Sequence, residues 1–154
     1  MTVFLLILHG LMAVALLGAL THQTIALMRR AAVGKSTFLD RYMSVGQPGF
    51  TRAVVVLYVL SLALGAIIYP TYRLDVRIPF EEMGLLWAIG MFEIKEHLGG
   101  VGLGILPLYA VLWRAENFST HGRARIVVTS LLAGIVWLDF IVGHVLNNIR
   151  GVGT

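Results

Sequence analysis

Four stretches of the chain are almost continuously apolar, and most polar residues gather between them. The first, residues 2–28, contains no Asp, Glu, Lys or Arg. The second, residues 53–70 (AVVVLYVLSLALGAIIYP), is uncharged, preceded by Arg52 and followed by Pro70-Thr71-Tyr72-Arg73, which reads as a turn. The third, residues 83–113, is longer than one simple crossing needs and carries Glu93, Lys95, Glu96 and His97. The fourth, residues 126–149, holds Asp139 as its single acid, along with His144, Asn147 and Asn148. A helix of roughly 20 mainly apolar residues crosses about 30 Å of hydrocarbon. The pattern therefore predicts an all-α fold, a four-helix transmembrane bundle forming a single integral membrane domain. The first run has neither a charged start nor a small-residue cleavage site, so it reads as a retained helix.

Composition agrees with this pattern. Of 154 residues, 58% are hydrophobic and 13% charged, against about 25% charged in an ordinary soluble domain. Cysteine is absent, which excludes disulfides, thiolate metal sites and covalent haem attachment. The basic residues also orient the bundle, because Lys and Arg flanking the spans are retained on the cytoplasmic side. Arg29, Arg30, Lys35, Arg41, Arg52, Arg114, Arg123 and Arg125 lie on one side, and Arg73, Arg77 and Arg150 on the other. Both termini are thus expected on the outer, periplasmic side of a bacterial inner membrane. The net charge of +4 is a topology signal; no base-reading element accompanies it, and a nucleic-acid partner is not expected. In the first cytoplasmic loop, Ser36 to Met43 reads as a short helix at the interface before the Gly46-Gln-Pro-Gly49 turn.

The third run carries the chemistry. A charge at the membrane centre costs roughly 2.5 to 3.5 kcal/mol on insertion scales, so Glu93, Lys95 and Glu96 must be paired, near the interface, or turned into the bundle. With Trp113 and Arg114 at the inner boundary, this cluster falls in the outer third of the membrane. At 100° per residue, Glu93, His97, Gly100 and Gly104 share one narrow stripe, whereas Lys95 points roughly the opposite way. An imidazole above two glycines leaves room for another helix or a flat cofactor, and Pro107 is expected to bend the helix.

His9 and His144 lie at a depth comparable to His97. Neutral imidazole is the commonest metal ligand and the usual axial ligand of b-type haem held between helices. Two of His97, His9 and His144 are therefore candidate ligands to haem iron, with Gly100 and Gly104 beside the ring. His22 reads as part of an interfacial polar belt, and His121 as an exposed loop residue. Asp139, an acid inside a span, is a candidate proton carrier, a partner for Lys95, or a contact to another subunit.

The opening FLLILHGLMAVALLGAL, with His9 followed by small residues and Gly18, resembles the first helix of small haem-associated membrane bundles of the copper-resistance D and HemJ type. The resemblance implies b-type haem, with His9 in the place of their first-helix histidine. The Phe92-Glu-Ile-Lys-Glu-His97 segment departs from their pattern, so their activities do not carry over.

The expected function is a membrane-embedded haem b electron-transfer protein or cytochrome-b-like subunit, with quinone as a candidate partner near Lys95, Glu96, Arg73 and Arg77. Two other classes fit the same residues. One is a non-catalytic subunit of a larger membrane complex or homo-oligomer, held by the Glu93-Lys95-Glu96 cluster. The other is a non-haem metal or proton-relay protein using Glu93, Glu96 and His97 with Asp139 or His144. The Glu-x-x-His spacing of di-iron bundles is missing from both helices. No nucleophile and base stand together as a hydrolase requires.

Overall fold

The computed structural model describes residues 2–28, 48–114 and 120–152. These form four long helices, α1 (Thr2–Met28), α2 (Pro48–Tyr72), α4 (Leu86–Leu112) and α5 (Gly122–Val152). A π-helical turn, Arg73–Arg77, and a short helix α3 (Ile78–Glu82) connect α2 to α4. The expected interfacial helix at Ser36 to Met43 lies outside the described residues.

By length and composition, Val3–Met28, Gly49–Glu82 and Gly122–Ile149 are each able to cross a membrane. Their outward faces fit that solvent. Val3, Phe4, Ile7, Leu11 and Val14 of α1 are exposed, as are Val127, Leu131, Ile141 and Val145 of α5. So many large apolar side chains on the outside of a small bundle would be an aggregation surface in water. In lipid they need no covering. The chain is an integral, multi-pass membrane protein. Helix α4 is as long as α1, at 27 residues, but Glu93, Lys95 and Glu96 interrupt its apolar run.

The second helix overturns one expectation. Pro70 and its neighbours do not make a turn: α2 runs through Pro70 to Tyr72 and continues as helix through the π segment into α3. Proline removes one backbone hydrogen bond and crowds the preceding turn, a cost that surrounding packing can offset with a kink. The chain reverses instead at Gly84, whose φ of 70° only glycine adopts without strain. Leu85 N–H donates to Phe80 O at 2.8 Å and Gly84 N–H to Glu81 O at 3.0 Å. This pair of bonds caps the last carbonyls of α3, and Phe80 and Leu85 pack together across it.

Helices α1 and α2 pack together, α1 against α5, α5 against α4, and α4 against α2, closing a ring around one axis. Two apolar cores stack along it. At the α3 end, Phe80, Ala88, Ile89, Val142 and Leu146 are buried together. Toward the opposite end, the end of Met28, a larger core gathers Leu16, Leu20, Val54, Leu106, Leu132 and Val136 with Tyr58, Tyr109 and Trp113. Along α4, Lys95 and Gly99 lie between these cores, and along α5, Asp139 and Gly143 lie where the two cores meet.

Candidate functional site

The charged layer between the two cores is built from all four long helices. Asp139 comes from the middle of α5 and is half-buried, with its Oδ1 enclosed and lacking a hydrogen-bond partner. Its Oδ2 would lie 3.6 Å from a Cβ at Gly99, so the carboxyl sits directly against the α4 backbone. One turn further along α5, Gly143 leaves space for the Lys95 side chain, whose Cε would lie 3.5 Å from a Cβ there. Since residues four apart share a helix face, Lys95 crosses from α4 to the same face of α5 that presents Asp139. Its ammonium also stands 5.4 Å from the centre of the Phe92 ring.

Two further groups face this pair. His9 of α1 points Nδ1 at the Ser61 carbonyl of α2, 3.1 Å away, and its ring lies against Gly65. The field of Lys95 acts on both Asp139 and His9. Tyr58 of α2 is buried and donates its hydroxyl to Gly99 O at 3.0 Å, and Asp139 is coupled electrostatically to it. A side chain at Gly102 would collide with the Tyr58 hydroxyl. The two buried glycines of α4, Gly99 and Gly102, therefore bring α2 and α5 close enough for these groups to meet.

The stripe singled out from the sequence faces the other way. His97 is exposed and bonds its Nδ1 to Glu93 O, 2.6 Å away on its own helix. Gly100 and Gly104 are exposed, with nothing within 4 Å of where a Cβ would stand. His144 is also exposed, its ring parallel to that of Phe140 at 6.3 Å. Among the described residues no hydrogen bond or ring contact joins any two of His9, His97 and His144. Nor do three His, Asp or Glu side chains there converge on a point able to hold a metal.

The remaining acids sit at the α3 end. Glu93 and Glu96 are exposed, and Arg77 reaches Glu81 at 2.8 Å and Glu93 at 3.8 Å. Beside them Tyr72 and Phe92 stack at 3.5 Å with planes 9° apart. Arg73 stands over the Tyr69 ring at 6.0 Å.

A second polar group lies near Met28, on the far side of the larger core. Tyr109 donates to Gln23 Oε1 at 2.5 Å, Trp113 Nε1 to Thr129 at 3.1 Å, and Arg125 Nε to Leu112 O at 3.0 Å. Trp137 Nε1 donates to Thr21 at 2.9 Å, tying α5 to α1, and the His22 ring lies 6.0 Å from that of Phe50.

Sequence reasoning named Lys95, Asp139 and His9 but missed Tyr58, Ser61, Gly65 and Gly143. The signals were present. Tyr58, Ser61 and Gly65 repeat at three and four residues along an otherwise aliphatic helix, and Gly143 follows Asp139 by four. No protein-family model matches the chain, and no curated protein or solved structure is similar to it. The likeness of its first helix to haem-associated bundles thus stands on Phe4 to Leu20 alone.

Proposed function

We propose that this protein lies in the bacterial inner membrane with all four long helices crossing it, α3 and both termini outside, and that it relays protons through the Lys95–Asp139–His9 layer. The observation that carries the reading is the enclosed, unbonded Oδ1 of Asp139, in a carboxyl that lies within the field of Lys95. Removing an ion from water costs several kcal/mol, which a buried pair recovers only with close contact and further hydrogen bonds. Among the described residues Lys95 and Asp139 form no ion pair within 4.0 Å. A pair so placed is a weak fastener. It is well arranged to exchange protons, because transfer from the lysine ammonium to the aspartate carboxylate leaves a neutral amine and a neutral acid, with no net change of charge. His9, oriented by the Ser61 carbonyl, takes or returns a proton through its other nitrogen, one of the roles of an intramembrane imidazole. Glu93, Glu96 and Arg77 supply the polar approach from the α3 side.

The test is proton uptake by vesicles carrying the full chain, driven by an imposed potential and read with an enclosed pH dye. Wild type should acidify the lumen, and Asp139→Asn should not. Uptake equal to that of empty vesicles overturns the relay. Orientation is checked by labelling: Glu82→Cys should react only from outside and His121→Cys only from the cytoplasmic side.

The exposed His97, Gly100 and Gly104 stripe favours a second reading. A flat ring such as haem b has room there against the outside of α4, with a second imidazole from another copy of the chain. Such a protein would be an electron carrier, with quinone as the natural partner in the surrounding lipid. A Soret band in purified wild type, lost in His97→Ala, would put this reading first.

A further inference from the structure

We infer that Gln23, Thr51 and Tyr109 form a buried water-binding site, and that this site is the second aqueous access of the Asp139 layer, on the side away from α3. The role in access rests on the relay reading; the site itself does not.

Gln23 and Tyr109 have no exposed surface and Thr51 is 8% exposed. Tyr109 spends its one proton on Gln23 Oε1, which leaves the Gln23 Nε2 protons and Thr51 Oγ1 enclosed without partners. Turning the amide over does not help. Nε2 would then donate to the phenol and Oε1 would be left over, so one half of the amide always needs another partner. Thr51 stands beside the Tyr109 phenol, near enough for a hydrogen-bonding influence on it, but its Oγ1 has no partner in good bonding geometry. Both unmet groups therefore flank one phenol. Enclosed polar atoms are rarely left bare, and a water that bonds two to four of them is the usual resolution. Of the neighbouring polar residues, Trp113 is bonded to Thr129, and Arg125 to Leu112 O while lying 5.5 Å from the Trp113 ring, whereas Ser130 Oγ is enclosed without a partner of its own. What marks Gln23, Thr51 and Tyr109 is that two unmet groups stand at one hydroxyl, as a bridging water requires.

The position fits an access route. Gln23 follows His9 by fourteen residues of α1, roughly 21 Å of rise, so the site lies well below the charged layer. Between them stand Leu16, Leu20, Val54, Leu106, Leu132 and Val136. A charged layer reached from the α3 side, an apolar barrier and a hydrated site near the other surface form a proton path closed at its middle. Tyr58, bonded to Gly99 at the upper edge of the barrier, and Tyr109 at the lower edge bracket it.

Radiolytic hydroxyl labelling of the full chain in oxygen-18 water tests the site, because a residue beside bound water is labelled even without surface exposure. Tyr109 should acquire label in the wild type, as exposed Trp87 does. Gln23→Leu combined with Thr51→Val should remove the Tyr109 label and spare that on Trp87. If the double variant does not fold, Thr51→Val alone, which keeps the side-chain shape, should weaken the label. An unlabelled Tyr109 in the wild type, or a label unchanged by the variants, overturns the site. Vesicle uptake tests the role: it should be lost in Gln23→Leu. Unchanged uptake in a variant that has lost the label overturns the access role, and label without any wild-type uptake leaves the site standing while the relay falls.

Discussion

The two polar regions of this bundle use their polar groups in opposite ways. Near Met28, neutral side chains are mostly joined: Tyr109 to Gln23, Trp113 to Thr129 and Trp137 to Thr21. Each links a different pair of helices. In the Lys95–Asp139–His9 layer the groups are ionisable, come from different helices, and share electrostatic coupling rather than direct bonds. Bonded neutral groups hold helices in register at little desolvation cost, whereas charges held apart in an apolar bundle are expensive. The first region ties helices together, and the second leaves its charges unbonded, as the proposed relay needs.

Substitutions that separate these roles should differ in size. The largest effect is expected from Lys95→Met, which removes the positive charge nearest the half-buried Asp139 and should destabilise the folded protein by up to about 3 kcal/mol, read as a lower unfolding temperature in detergent. Adding Asp139→Leu to it should restore most of that loss without restoring proton uptake. Full stability in the single variant would make the layer a hydrated surface and erase the contrast.

Gly102→Ala comes next. Its methyl falls on the Tyr58 hydroxyl, so Tyr58 must leave Gly99 or the helices must part, a packing error worth about 1–3 kcal/mol. Gly100→Ala, with open space at the same helix, is the control and should melt as wild type does.

Tyr109→Phe probes the bonded region, where Gln23 loses its partner inside the core; about 1–3 kcal/mol is the expected penalty for a newly unmet polar group. A loss of uptake larger than the loss of stability would show that this region serves the path as well as the fold. The smallest effect belongs to His97→Ala. At an exposed position bonded only to its own helix, it should change stability by no more than about 0.5 kcal/mol and leave uptake intact.

Much of this architecture was legible from the apolar runs. The first helix ends where residues 2–28 predict, since a chain in lipid must satisfy its backbone within each helix and the apolar run measures that helix directly. The α2 boundary was not legible, because Pro70 is a breaker by local rules yet is accommodated inside a helix that runs on to Tyr72. The positive φ of Gly84 is visible only once the chain is folded.

The site divides along the same line. Sequence alone determined that Glu93, Lys95, Glu96, Asp139 and the histidines are the residues whose presence in an apolar bundle demands a reason, and that Lys95 opposes the His97 stripe on α4. Periodicity places residues relative to one another on a single helix, and that relation survives folding. Which face of α4 turns inward was decided by tertiary packing. The buried glycines Gly99 and Gly102 admit Asp139 and Tyr58, Gly143 admits Lys95, and His97, Gly100 and Gly104 are left outside. The rotation of a helix about its own axis depends on the shapes of its neighbours, and hydropathy along one chain does not encode those shapes.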